Sequence, residues 1–160
     1  MTVQGPLDGI RVIEVGTLIS GPFAGRLLGD MGADVVKIEP PGAGDPMRNW
    51  GQGDEKVQWE VIARNKRSVT CNLRVPEGQA LAKRLIAEAD VLIENFKVGG
   101  LKRFGLDYES LAAGNPRLVY ARQTGWGQYG PLAHTAGNDI NHIAISGALH
   151  AIGRASEAPA

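Results

Sequence analysis

Short runs of apolar, β-branched residues alternate along this chain with segments of helical period. Ile10–Val15 (IRVIEV) is the first such run and predicts a buried strand. Ser20, Gly21 and Pro22 follow, a capping residue and then a proline suited to a first helical turn. Phe23, Leu27, Leu28 and Met31 recur at helical spacing, and Gly32 closes that helix. Asp34–Pro40 (DVVKIEP) predicts a second strand, so the opening residues form a βαβ unit whose right-handed crossover implies a parallel sheet. Pro41–Gln58 has no period and is expected to be a long loop. In Ser68–Leu73, Val69, Cys71 and Leu73 alternate inward. Pro76 opens a helix with Ala82, Leu85, Ile86 and Ala89 on its apolar face. Asp90–Phe96 and Leu118–Arg122 predict two more strands, with a short helix over Tyr108–Ala113 between them. After Gly137 a helical pattern sets Ile140, Ile143, Ala144 and Ala148 where they can face a core. The whole reads as α/β, a Rossmann-like parallel sheet with flanking helices.

Composition narrows the classes. The 160 residues fit one domain or one lobe of a larger enzyme, and 43% hydrophobic content suffices for a core. Seventeen basic and seventeen acidic side chains cancel, so no net field draws the chain to nucleic acid or an anionic membrane. No apolar run approaches the ~20 residues of a membrane span. MTVQGPLDG lacks a signal-peptide profile, and one cysteine rules out an internal disulfide. A cytoplasmic protein is expected.

The turn after the first strand, GTLISGPFAG, lies where an open α/β sheet can hold an anion. Its glycines do not fit G-x-G-x-x-G, and no G-x-x-x-x-G-K-[ST] occurs, which disfavours a standard NAD or ATP site. Arg64, Lys66, Arg67, Arg74, Lys97, Lys102 and Arg103 gather near strand ends and loops, a rim suited to a ligand with several phosphates. Cys71, on the inward side of its strand, reads as a buried apolar residue rather than a nucleophile. No spacing suggests a metal site. Asn138 or Asp139 suits a helix N-cap, and the same position could stabilise an oxyanion. Asn138, His142, Ser146 and His150 recur every four residues and are expected to share one helix face.

Together PLDGIRVIEV, GPFAGRLLGDMGADVVKIEPPGAGDPMR, RNKRSVTCNL, PEGQALAKRLIAEADVLIENF, FGLDYESL, NPRLVY and TGWGQYGP resemble the N-terminal part of the family III CoA transferases and α-methylacyl-CoA racemases. The resemblance implies that residues 1–160 are the N-terminal CoA-binding α/β domain of a large domain completed elsewhere, in an enzyme that forms interlocked homodimers. It places CoA contacts on Leu18 and Ile19, on Arg74, on Asn95, Phe96 and Lys97, and on Arg103. Many members stack an arginine on the adenine after the second strand; Pro40 stands there in this chain.

Residues up to about Val119 resemble the transferase branch, and Ala121–Arg154 the racemase branch. Where racemases carry a proton-exchanging histidine, this chain has Asn138, followed by the shared Asp139. An amide does not titrate, so the usual histidine-based epimerisation is disfavoured; His142, one turn on, is the substitute base to test. The aspartate that becomes acylated in the transferases lies beyond the residues matching Ala160, so the chain is expected to be a fragment. The reaction implied for the intact enzyme is transfer of CoA from an acyl-CoA to a carboxylate, without a prosthetic group, through an aspartyl anhydride. Asn138 and Asp139 would border the thioester. The alternatives are 2-methylacyl-CoA epimerisation and a truncated, non-catalytic CoA-binding or assembly module.

Overall fold

A computed structural model describes residues 5–51, 57–154 and 157–158. Residues 52–56 of the long loop and 1–4 of the N-terminal stretch lie outside the described residues. The chain divides into two compact units, Met1–Gln123 and Thr124–Ala160.

The first unit is built on five parallel strands: β1 (Arg11–Glu14), β2 (Asp34–Glu39), β3 (Lys66–Thr70), β4 (Val91–Glu94) and β5 (Val119–Arg122). Their order is β3-β2-β1-β4-β5. The chain therefore winds outward in one direction from β1 and then in the other, leaving a topological switch point between β1 and β4. Helix α1 (Ser20–Asp30) joins β1 to β2, α2 (Val57–Ala63) precedes β3, α3 (Pro76–Ala87) joins β3 to β4, and α4 (Tyr108–Ala112) precedes β5.

Strand alternation sends side chains to two faces. Ile13, Val15, Val36, Ile38 and Leu92 pack on one face with Ala82 and Ile86 of α3 and with Leu106 and Leu111. Val12, Val35 and Ile93 pack on the other, with Ala24 and Leu28 of α1. Beneath α1 that second face changes character toward the strand ends, where Glu14, Lys37 and Glu39 are buried.

Helix α1 does not present the face its apolar spacing suggested. Phe23, Leu27 and Met31 are exposed, whereas Gly21, Pro22 and Gly25 are buried. The reason is close approach. A Cβ on Gly25 would stand 2.1 Å from Glu14 Oε2, one on Gly21 3.1 Å from Gly16 Cα, and one on Gly29 2.9 Å from the Asn65 carbonyl oxygen. Glycine at every fourth position lets the helix sit on the sheet, and Phe23, Leu27 and Met31 are left outside while Leu28 packs on the core.

Two further differences concern the middle of the chain. Val57–Ala63 is helical, starting inside the expected loop, and Pro46–Asn49 forms a 3-10 turn capped by Asp45. The third strand runs Lys66–Thr70 rather than Ser68–Leu73, although Cys71 is buried and Val69 and Leu73 pack on the core as the alternation required.

In the second unit, α5 (Asp139–Ile145) buries none of its residues, so Ile140, Ile143, Ala144 and Ala148 do not form the expected core face. The helix stops at Ser146, Gly147 has φ 80°, and a separate 3-10 turn covers Ala148–Ala151. His150 therefore leaves the polar stripe begun by Asn138 and His142. Gly125 and Gly137 cross so closely that a Cβ on either would lie 2.6 Å from the other's Cα. No described helix is long and apolar enough to cross a membrane.

Candidate functional site

The carboxyl ends of β1 and β4 form the centre of the site. Asn95, just past β4, folds its amide over the β1–α1 turn. Its Oδ1 accepts from Thr17 N–H at 2.8 Å, and its Nδ2 donates to Thr17 O at 2.8 Å and to Ser20 Oγ at 3.0 Å. One side chain thus pairs with both backbone groups of Thr17, as a neighbouring strand would. Leu18 N–H donates to Asp45 Oδ1 at 3.1 Å. With Thr17 and Leu18 amides engaged and Pro22 lacking an N–H, the turn has no free donor at these three positions for a phosphate. It offers instead a fixed ledge with Leu18 half-buried and Ile19 exposed.

A chain of buried charges fixes this ledge from below. Glu14 and Lys37 face each other across the β1–β2 register, with Lys37 Nζ 2.7 Å from Glu14 Oε1. Lys37 also donates to Gly16 O at 2.7 Å and lies 2.8 Å from Asp45 Oδ2. Lys66 Nζ is 2.7 Å from Glu14 Oε2 and donates to Pro22 O at 2.6 Å. Glu14 Oε2 and Asp45 Oδ2 meet their lysines as ion pairs rather than as aligned hydrogen bonds. Burial pulls the Lys66 pKa below the ordinary lysine value, against the opposing pull of Glu14. Alongside, Glu39 takes two hydrogen bonds of 2.7 Å from Arg48, one of 2.5 Å from Ser68 Oγ and one of 2.9 Å from Asp45 N–H. Burial alone would raise its pKa; these donors outweigh burial and hold it at about 2.

The residues expected to meet CoA fall in three places. Leu18 and Ile19 follow β1, and Asn95, Phe96 and Lys97 follow β4, so these five adjoin the switch point. Arg103 sits farther along the same connection, in the 3-10 turn Lys102–Phe104, its guanidinium 4.6 Å from the Phe104 ring. Arg74 follows edge strand β3, two strand spacings or roughly 10 Å across the sheet from β1. Its N–H donates to Asn72 Oδ1 at 3.0 Å in the tight turn before α3. Glu94, buried beneath Phe96, accepts from Phe96 N–H at 2.7 Å, and burial raises its pKa.

The basic rim divides. Lys66 is sealed under α1; Arg64 pairs with Asp30 and Arg67 with Asp34, toward the opposite edge of the sheet. Arg74, Lys97, Lys102 and Arg103 are exposed and have no carboxylate within 4.0 Å among the described residues. Sequence reasoning missed Glu14, Lys37 and Asp45 altogether. Its available signal was a charged residue inside each of two β-branched runs, IRVIEV and DVVKIE.

In the second unit, Asn138 takes the N-cap position of α5, and its N–H donates to Asn141 Oδ1 at 3.0 Å. Asn138 and Asp139 are exposed. His142 packs against Trp126 with ring centroids 4.4 Å apart, while Trp126 Nε1 donates to Ala136 O at 3.2 Å.

Residues 7–160 match the family model described as CoA-transferase family III. The chain is 53% identical over 135 residues to succinyl-CoA–D-citramalate CoA-transferase of Chloroflexus aurantiacus, covering 82% of this chain and 34% of that one. It is 45% identical over 163 residues to succinate–glutarate CoA-transferase of Agrobacterium fabrum, covering 96% and 41%. The likeness to transferases is thus not confined to residues before Val119, and these relatives do not favour the racemase alternative. A solved CAIB/BAIF family protein from Brucella suis superposes with a TM-score of 0.90 at 44% identity over 98% of this chain and 43% of its own. The chain spans well under half the length of these relatives. With these matches along nearly all its residues, the chain belongs to CoA-transferase family III.

Proposed function

We propose that the protein moves CoA between an acyl-CoA and a carboxylic acid, and that residues 1–160 supply the CoA-binding part. The observation that carries this is the meeting of the β1 and β4 exits at the switch point, with exposed Lys97, Lys102 and Arg103 following β4 in the chain without carboxylate partners among the described residues. A crevice at the carboxyl ends of parallel strands is where open α/β sheets take ligands. Unpaired cations suit the phosphates of CoA, since charge-assisted hydrogen bonds are the stronger kind. Leu18, Ile19 and Phe96 supply apolar contact, and Asn95 keeps the ledge in place. Arg74 reaches the same ligand from the far strand. Asn138 and Asp139 border the thioester.

The overall reaction is balanced without oxidant or reductant. One thioester C–S bond breaks and CoA leaves as the thiolate; a new C–S bond forms on the acceptor's acyl carbon as one of its carboxyl C–O bonds breaks, and a C–O bond forms on the first acyl carbon, which is released as its carboxylate. The relatives' names make succinyl-CoA the first donor to try, with D-citramalate and glutarate as acceptors. The test incubates full-length protein with succinyl-CoA and each acid and follows thioesters by mass spectrometry. Appearance of the acceptor's CoA ester with stoichiometric succinate is expected; no new thioester with any carboxylic acid tried, from protein shown to be folded, rejects the reading. A homodimer in the cytoplasm belongs to the same proposal, and sedimentation of the full-length protein checks the assembly.

A further inference from the structure

The turn that carries Leu18 and Ile19 holds a conformation its own residues do not favour. Leu18 has φ 62°, in the left-handed region that a non-glycine side chain rarely adopts. Such backbone persists only where its surroundings over-determine it. The fastenings here are few and specific. Asn95 holds Thr17 on one side. On the other, Asp45 Oδ1 accepts from Leu18 N–H at 3.1 Å and from Met47 N–H at 2.9 Å. Asp45 is fully buried, and its second oxygen lies 2.8 Å from Lys37 Nζ, which itself donates to Gly16 O.

Stability alone is a poor account of this arrangement. Buried ion pairs replaced by well-packed apolar residues are often neutral or stabilising. An apolar residue at position 45 could fill the volume, yet it could not accept from Leu18. Lys37, held by Glu14 and Gly16 O, leaves the Asp45 carboxylate one orientation, with Oδ1 toward the turn. The 3-10 turn at Pro46–Asn49 begins on the same carboxylate, so the loop after β2 and the ledge after β1 share one anchor.

We infer that Asp45 is a positioning residue for CoA binding: its carboxylate, aimed by Lys37, holds the Leu18–Ile19 backbone in the conformation that presents both residues at the crevice between β1 and β4. The inference rests on the CoA-binding reading above and adds a residue that touches no ligand.

Calorimetric titration of the full-length protein with coenzyme A tests it, alongside kinetics with succinyl-CoA and glutarate. Asp45→Ala is expected to weaken coenzyme A binding about tenfold, the scale of one strategic hydrogen bond. The KM for succinyl-CoA should rise by a like factor while that for glutarate stays put. Asp45→Asn is expected to lose affinity as well, because an amide with its oxygen toward Leu18 sets its N–H₂ against the Lys37 ammonium, and the flipped amide sets a donor against Leu18 N–H. A folded Asp45→Ala protein that binds within about twofold of wild type, or one whose KM for glutarate rises as far as that for succinyl-CoA, overturns the inference. If the Ala protein does not fold, amide exchange in the wild type decides. A Leu18 amide strongly protected before coenzyme A is added supports the inference, and one exchanging like an exposed loop amide overturns it. Wild-type protein that takes up no coenzyme A refutes the CoA reading itself, a result distinct from an Asp45 variant that binds normally.

Discussion

Two groups of cations lie in the same sheet unit and do opposite things. Lys37 and Lys66, beneath α1, are sealed and ion-paired, each side chain only 2% exposed. Lys97, Lys102 and Arg103, beyond β4, stand in solvent without carboxylate partners among the described residues. The first group shapes the ledge and can meet no ligand; the second is free to meet one and shapes nothing. A positive charge at a strand end is therefore no guide to binding until its partners are known.

The comparison breaks most visibly at Glu14, which faces both buried lysines. Glu14→Ala leaves Lys66 without a counter-charge and should destabilise the fold by about 3–5 kcal/mol, read from urea unfolding. Gly25→Ala attacks the same place sterically, because its Cβ would press on the Glu14 carboxylate; a loss of about 1–3 kcal/mol is expected in the same assay. Acid probes the neighbouring pair. Glu39 has a folded pKa of about 2 against an ordinary 4.5, so its stabilising contribution is present above the ordinary value and is lost as pH falls from about 4.5 toward 2. Denaturation midpoints in wild type should drop through that window, and the difference between wild type and Glu39→Gln should vanish at its lower end. On the exposed side, Arg103→Ala should leave stability within about 0.5 kcal/mol while weakening coenzyme A binding about tenfold. A Glu14 variant of normal stability, or an Arg103 variant that unfolds early, would erase the distinction.

The strands at Ile10–Val15, Asp34–Pro40 and Asp90–Phe96 were legible because a strand buried on both faces reads as a continuous apolar run, whereas edge strand β5, with Val119 and Arg122 exposed, offered only a short one. Helix α2 was not, since its Val57 and Val61 are exposed and no apolar stripe announces it. The orientation of α1 misled for a physical reason. Periodicity finds the large residues, but at positions 21, 25 and 29 the space under this helix admits only glycine. At the site, resemblance supplied the residues around the switch point, while the pairing of Glu14 with Lys37 needs the register of two strands. Asp45 lies in a loop whose period is nil, and nothing local marks it as buried. The Asn138–His150 stripe failed at Gly147, where a left-handed residue ends the helix.

The sealed lysines also give the molecule a built-in reporter. An amine-directed label added to the native protein should modify Lys97 and Lys102 at once and pass over Lys37 and Lys66 until α1 lifts from the sheet. Peptide mapping after a short pulse would then read, lysine by lysine, how often that helix opens.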